Sequence, residues 1–276
     1  MSASDLLARW PGAVRGAVIV HHDPDGRIRR TISGADAAML PWASVTKVAV
    51  AMAVMVAVDE GLLSLEDDAG PPGSTVRHLL AHASGLGPDG PTLLAAPGQR
   101  RIYSNWGYEL LGSILERWAG IDIATYVDEV VLAPLGMERT TLDGSPASGM
   151  IGPLAELASL LAEVMAPTLV RFETAAEMRN IQWPELIGVL PGFGRFDPCP
   201  WGLGLEVKGT KAPHWTGVRW GPDTVGHFGQ SGSFLVADAE RHLGVATLGD
   251  EPFGPWAAAA WPQYLDAVLG EQDDET

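Results

Sequence analysis

The chain has 276 residues and a formal net charge of −16, long enough for one large domain or two small ones with a sizeable core. An acidic surface repels phosphate backbones and anionic headgroups, so neither nucleic acid nor a membrane is expected as a partner. Hydrophobic content of 46% with 19% charged residues fits a soluble globular protein, and the single cysteine, Cys199, allows no internal disulfide, which suits a reducing compartment.

The first residues, Met1 to Trp10, lack the basic start and apolar stretch of a signal peptide, and the chain reads as cytoplasmic. Asp5 to Trp10 reads as a short helix stopped by Pro11-Gly12. Ala17 to Val20 is a buried strand, Asp23 to Gly26 is turn chemistry, and Arg27 to Ser33 alternates as a return strand. Pro41-Trp42 leads into Ala43-Ser-Val-Thr-Lys47 and the uncharged run Val48 to Val58. That run is too short to cross a bilayer, which takes about 20 residues, and apolar on every side, as a fully buried helix is. A capped helix start follows at Ser74 to Leu80. Asn105 is placed as the N-cap of a helix from Trp106 to Trp118. Further helices are expected over 123–132, 156–165 and 173–182. From Trp201 the pattern changes to strands: 202–208, 225–229, 233–237 and 243–248. An amphipathic helix over 256–269 closes the chain.

Strands at both ends and helices between them predict an α+β architecture: an antiparallel sheet built from both chain termini and flanked by helices, with a mostly helical insertion. The expected division is 1–43 plus 190–276 for the sheet domain and 44–189 for the helical one, with the site between them.

Ser44 and Lys47 are three residues apart, which on a helix puts both on one face. Burial of the helix disfavours the ammonium form of Lys47 and prepares it as a base. A serine beside a proton acceptor is the minimum for nucleophilic acyl transfer. Two other patches join this one: Tyr103-Ser104-Asn105 just before a helix, and His227-Phe228-Gly229 on a late strand. Taken singly, Asn105 is a cap and Tyr103 a packed ring; beside Ser44 and Lys47 they read as site residues. His78 and His82 have a metal-like i, i+4 spacing but no third ligand nearby, so no metal is expected. Gly-x-Ser-x-Gly is absent, which removes the nucleophile elbow, and Ser231 reads as a turn residue.

Ser-x-x-Lys, Tyr-x-Asn and His-x-Gly, in that order, resemble the serine β-lactamase-like superfamily, in particular its group of class C β-lactamases, D-Ala-D-Ala carboxypeptidases and family VIII esterases. Ser74 to Leu86 and Leu132 to Thr141 are similar to other stretches of that group. The resemblance implies a β-lactamase/transpeptidase-like fold, no cofactor, and an acyl-enzyme on Ser44. Lys47 and Tyr103 would share the proton work, and Asn105 would bind substrate or Lys47. His227 and Gly229 would form a strand wall, with the N–H groups of Gln230 and Ser44 as oxyanion hole. The third box departs from Lys-Thr-Gly: His227 replaces a fixed positive charge and Phe228 a hydroxyl. The expectation is therefore a carboxylesterase for small neutral esters, with β-lactamase or D-amino-acid peptidase activity as alternative, or an inactive binding protein of the same fold. The expected partner is a small ester, amide or lactam.

Overall fold

The computed structural model describes residues 1–23 and 25–275, so Pro24 of the expected Asp23–Gly26 turn lies outside the described residues. In chain order the elements are α1 (Ala3–Leu7), β1 (Arg15–His22), β2 (Ile28–Gly34) and β3 (Leu40–Pro41). A 3-10 turn (Ala43–Val45) then leads into α2 (Thr46–Asp59), α3 (Val76–Leu80), α4 (Asn105–Ala119), α5 (Ile123–Val127) and a π-helical turn (Asp128–Leu132). Next come β4 (Thr141–Leu142), β5 (Met150–Gly152), α6 (Leu154–Met165), α7 (Phe172–Arg179), β6 (Gly188–Leu190) and β7 (Gly194–Phe196). The chain ends with β8 (Glu206–Val207), β9 (Val225–Phe228), β10 (Phe234–Asp238), β11 (Leu243–Gly249) and α8 (Pro255–Glu275).

Six strands form one sheet in the order β2-β1-β11-β10-β9-β8, all antiparallel. The two ends of the sequence therefore meet in its middle, with Val18 opposite Ala246. Alternation on these strands decides which helix covers which face. Ala17, Phe234, Val236, Leu243 and Val245 join an aromatic-rich core with Trp10, Trp261, Tyr264 and Leu265 from the α1 and α8 side. Val18, Val20, Leu235, Ala237, Ala246 and Leu248 face the other way, into a core shared with α6 and α2. Both faces are buried, so the strands read as near-continuous apolar runs. The outer strand β2 is exposed and carries Arg29 and Arg30, charges that discourage edge-to-edge pairing.

α2 is buried from Thr46 to Ala57. The helices α4, α5 and α7 and the π turn pack around it. Each fully buried Val or Met contributes about 1.5–3 kcal/mol, so α2 is the post to which the helical region is fixed.

The sequence reading differs from the structure at three places that matter for the site. The strand expected over 202–208 shrinks to β8. Gly204 takes φ +79°, the Gly202 N–H bonds back to Leu205 O at 2.8 Å, and the segment lies against α2 instead of pairing. Ser104, not Asn105, caps α4: its Oγ accepts the Gly107 N–H at 3.1 Å. The segment 186–199, which carried no readable pattern, holds the β6–β7 hairpin. Its base is pinned by the buried Arg101, whose guanidinium donates to the carbonyls of Ala81, Gln182, Trp183 and Cys199.

A methyl group on Gly204 would sit 2.2 Å from the Ala51 Cβ, in a backbone region that L side chains disfavour. Gly204→Ala is therefore expected to cost about 1–3 kcal/mol of stability, read as a lowered urea midpoint at unchanged slope.

Candidate active site

The N-terminus of α2 is where the sheet and the helical region meet. Trp42 is fully buried, and Ala43 takes φ +46°, which turns the chain sharply so that Ser44 begins the 3-10 turn. β9 ends directly against this turn. A side chain at Gly229 would meet Trp42 O at 2.4 Å, and Ser233 Oγ donates to the same carbonyl at 2.8 Å. The glycine of the His-x-Gly box is thus required by the closeness of two backbones.

Lys47 lies one turn after Ser44 and is fully buried. Its Nζ donates to Asn105 Oδ1 and to Ala147 O, each at 2.8 Å, and lies 3.2 Å from Ser44 Oγ. Asn105 is oriented for this task, because its Nδ2 donates to Asp89 Oδ1 at 2.8 Å and so turns Oδ1 towards the lysine. The Ala147 carbonyl is set by a loop that Ser145 holds, donating to Glu109 from its hydroxyl and accepting the Ala147 N–H at 3.0 Å. Burial pushes the Lys47 ammonium down to about 7, with Glu109 and Asp89 opposing. A neutral amine has two N–H donors and one lone pair. Asn105 and Ala147 take the donors, so the lone pair is left for the Ser44 hydroxyl.

Tyr103 lines the same cavity as Ser44, with Lys47 Nζ 4.8 Å from the centre of its ring and its OH 3.5 Å from His227 Nε2. Burial raises the phenol well above its ordinary range, so it stays protonated. His227 Nδ1 donates to Phe228 O at 2.8 Å, which assigns Nε2 as the acceptor facing Tyr103. Burial, with Lys47 close by, pushes His227 down to about 3, so it is a neutral ring.

The structure brings Ser44, Lys47, Tyr103, Asn105, His227 and Gln230 into one place, with Gly229 shaping the strand end behind them. A cavity of about 230 Å3 lies over Ser44. Leu190 and Pro191 from the β6–β7 hairpin form one wall, and Trp201, Glu206 and Phe228 another. Among the described residues no hydrogen bond engages the Gln230 N–H, and N–H groups in the first turn of a helix lack intrahelical partners.

His82 is a residue that sequence reasoning set aside. It is fully buried in a left-handed conformation at φ +54°. Its carbonyl accepts the Ile102 N–H at 2.9 Å, its Nδ1 accepts the Ser104 N–H at 3.1 Å, and its ring lies 4.4 Å from that of Tyr103. One residue, through its carbonyl and its ring, thereby fixes three consecutive residues around the tyrosine. The sequence signal was its place in the run Ser74 to Leu86, not its spacing from His78. His78 Nδ1 instead accepts the Thr75 N–H at 3.2 Å and caps α3. Among the described residues no three His, Cys, Asp or Glu are grouped to hold a metal ion, and no helix is long and apolar enough to cross a membrane.

Comparison with known proteins bears on the fold and the family. The chain superposes on a β-lactamase from Mycobacterium bovis with TM-score 0.94 and 42% identity, over 98% of this chain and 99% of that one. It shares the fold of EstCE1, described as a hydrolase with promiscuous acyltransferase activity, at TM-score 0.78 and 19% identity over 97% of both chains. A putative D-alanyl-D-alanine carboxypeptidase of Salmonella heidelberg is 25% identical over 205 residues, 58% of this chain and 48% of that protein. The chain thus spans about half the length of the curated relatives it matches. The family model Beta-lactamase matches residues 30–269, which take in all of the helical region and every strand of the sheet except β1 and the start of β2, and the chain belongs to that family.

Proposed function

We propose that the protein is a serine hydrolase that forms an acyl-enzyme on Ser44 and acts on small neutral esters. The observation that carries this reading is the hydrogen-bond accounting at Lys47: two fixed acceptors consume its N–H groups and aim its lone pair at the serine. In the first step the Ser44 hydroxyl proton passes to Nζ as Oγ bonds to the ester carbonyl carbon. The carbonyl oxygen, now negative, is held by the N–H groups of Ser44 and Gln230, each such donor being worth about 10²–10³ in rate. Collapse breaks the bond to the alkoxy group. That oxygen takes the proton back from the Lys47 ammonium by way of the Tyr103 phenol, which gives one proton and receives another. Water then repeats the sequence on the acyl-enzyme and releases the acid. Tyr103 serves as a neutral conduit, since its burial disfavours a phenolate.

The preference for neutral esters follows from the third box. His227 is uncharged, Phe228 has no donor, and among the described residues no lysine or arginine lines the cavity. A missing charge-assisted hydrogen bond is worth about 1.5–3 kcal/mol, or roughly ten- to a hundredfold in affinity. A second reading, lactam hydrolysis, is favoured by the likeness to the M. bovis β-lactamase.

A fluorophosphonate or activated ester is expected to label Ser44 and to leave Ser44→Ala unlabelled. Mapping of the adduct to Ser231 overturns Ser44 as the nucleophile, and no adduct at all decides for a binding protein.

The free amine is the active form of Lys47, so kcat/KM for ester acylation is expected to rise about tenfold per pH unit below 7 and level off above it. Lys47→Ala lowers kcat by about 10²–10⁴, and a flat profile between pH 5.5 and 8.5 rules the lysine out as base.

Side by side, short-chain neutral esters are expected to exceed a chromogenic cephalosporin in kcat/KM by about a hundredfold. A cephalosporin that outruns every ester decides for the second reading.

A further inference from the structure

The most densely connected polar group beside the cleft is one that the proposed chemistry does not use. Glu206, on the edge strand β8, is 2% exposed and forms part of the cavity wall next to Trp201. Its Oε1 accepts Lys211 Nζ at 2.7 Å and His214 Nε2 at 2.9 Å, and its Oε2 accepts Trp215 Nε1 at 2.7 Å. His214 Nδ1 is engaged by the Thr216 hydroxyl at 2.8 Å and the Thr216 N–H at 3.3 Å. The ring therefore carries its proton on Nε2 and is neutral, in keeping with burial lowering its affinity for a second proton. Lys211 spends its three N–H groups on Glu206, on Pro200 O at 3.1 Å and on Val207 O at 2.5 Å. Burial alone would raise the Glu206 carboxyl, but Lys211 and His214 outweigh it and hold the group down at about 2.

This accounting leaves one capacity open. A carboxylate offers about four lone-pair sites, and here three donors occupy three of them. The remaining site belongs to Oε2, on a residue that walls the cavity. Lys211 has no N–H left to meet an anion, and its charge cancels that of Glu206. The group available to a substrate is an ionised acceptor inside a neutral pair, suited to a donor that carries no charge of its own.

The position selects which part of the substrate arrives there. Of the residues that line the cavity, Pro88 and Gln230 are exposed and mark the open side of the cleft, whereas Trp201 and Glu206 are buried and mark its closed end. The alcohol must leave and water must enter through the open side. The acyl group, which stays on Ser44 between those events, has the closed end to itself. We propose that Glu206 is a substrate-binding residue that accepts a hydrogen bond from a neutral hydroxyl or amide N–H on a short acyl chain, making donor-bearing acyl esters the favoured substrates. The proposal rests on the serine-hydrolase reading of Ser44 and adds to it the class of acyl group.

The test is a panel of 4-nitrophenyl esters with the unmodified enzyme. Hydroxyacetate and 3-hydroxypropanoate are compared with propanoate and butanoate, their methyl isosteres, and with methoxyacetate, which keeps the electron withdrawal but lacks the donor. Each kcat/KM is divided by the ester's rate constant with hydroxide, which removes intrinsic reactivity. A hydroxyacyl ester is expected to exceed its isostere by ten- to a hundredfold, with no advantage for methoxyacetate. In the double variant Glu206→Leu, Lys211→Met, which replaces a buried ion pair by apolar groups, that ratio is expected to fall towards one. A ratio near one at both chain lengths in the unmodified enzyme overturns the proposal, whether or not the double variant folds. So does a ratio that the double variant keeps. If all esters are turned over without donor preference, the acyl-group assignment alone fails. If none is turned over and Ser44 takes no label, the hydrolase reading fails and this proposal with it.

Discussion

A lysine amine stripped of water and given two carbonyl-type acceptors is the constraint around which this protein is arranged. An ammonium at that position would donate its third N–H to the Ser44 hydroxyl oxygen, whereas the neutral amine accepts the hydroxyl proton there. Burial makes the neutral form accessible near neutral pH. The surroundings serve that state: α2 is enclosed, Asn105 is turned by Asp89, and the Ala147 carbonyl is held in place through Ser145 and Glu109. Losing any of these would leave Nζ free to rotate, and the direction of its lone pair would be lost before its basicity.

The same economy shapes the third box. Phe228 lines the cavity, yet its ring also stacks among Phe193, Trp215, Phe253 and Trp261 in the core under α8. A hydroxyl residue there would open a hole in that cluster as well as add a donor. The aromatic residue at this place is therefore a packing commitment, and the missing substrate donor is its consequence. The wall that results is largely apolar, with Glu206 an ionised acceptor set into it.

Much of this was legible in the sequence because it rests on side chains at regular spacing. Ser44 and Lys47 sit one helical turn apart, the strands alternate, and the apolar α2 announces its own burial. The partners that could not be read are backbone groups or long-range packings. Ala147 contributes only a carbonyl, so no residue type marks it. The β6–β7 hairpin has three-residue strands tied down by Arg101, too short for a period to show. Asn105 reads both as a cap, its ordinary role, and, through the resemblance, as a partner of substrate or Lys47; in the structure Ser104 takes the cap and the amide oxygen accepts from Lys47. The strand expected across Gly204 fails for a tertiary reason, the approach of Ala51, which no local pattern contains.

The pairing of β1 with β11, from Arg15 opposite Gly249 to His21 opposite Leu243, has a consequence in time. Contacts of such long sequence separation form late, since a long loop must close before they reward it. The helical region relies on nearer neighbours and can gather round α2 first. During synthesis the serine and lysine would be made early, but the wall facing them, β9 to β11, belongs to the last quarter of the chain. A ribosome-bound fragment lacking that quarter would hold Ser44 beside an open face, with water reaching Lys47. The amine would then keep its proton, and Ser44 would lack the base proposed for it until the final strands are in place.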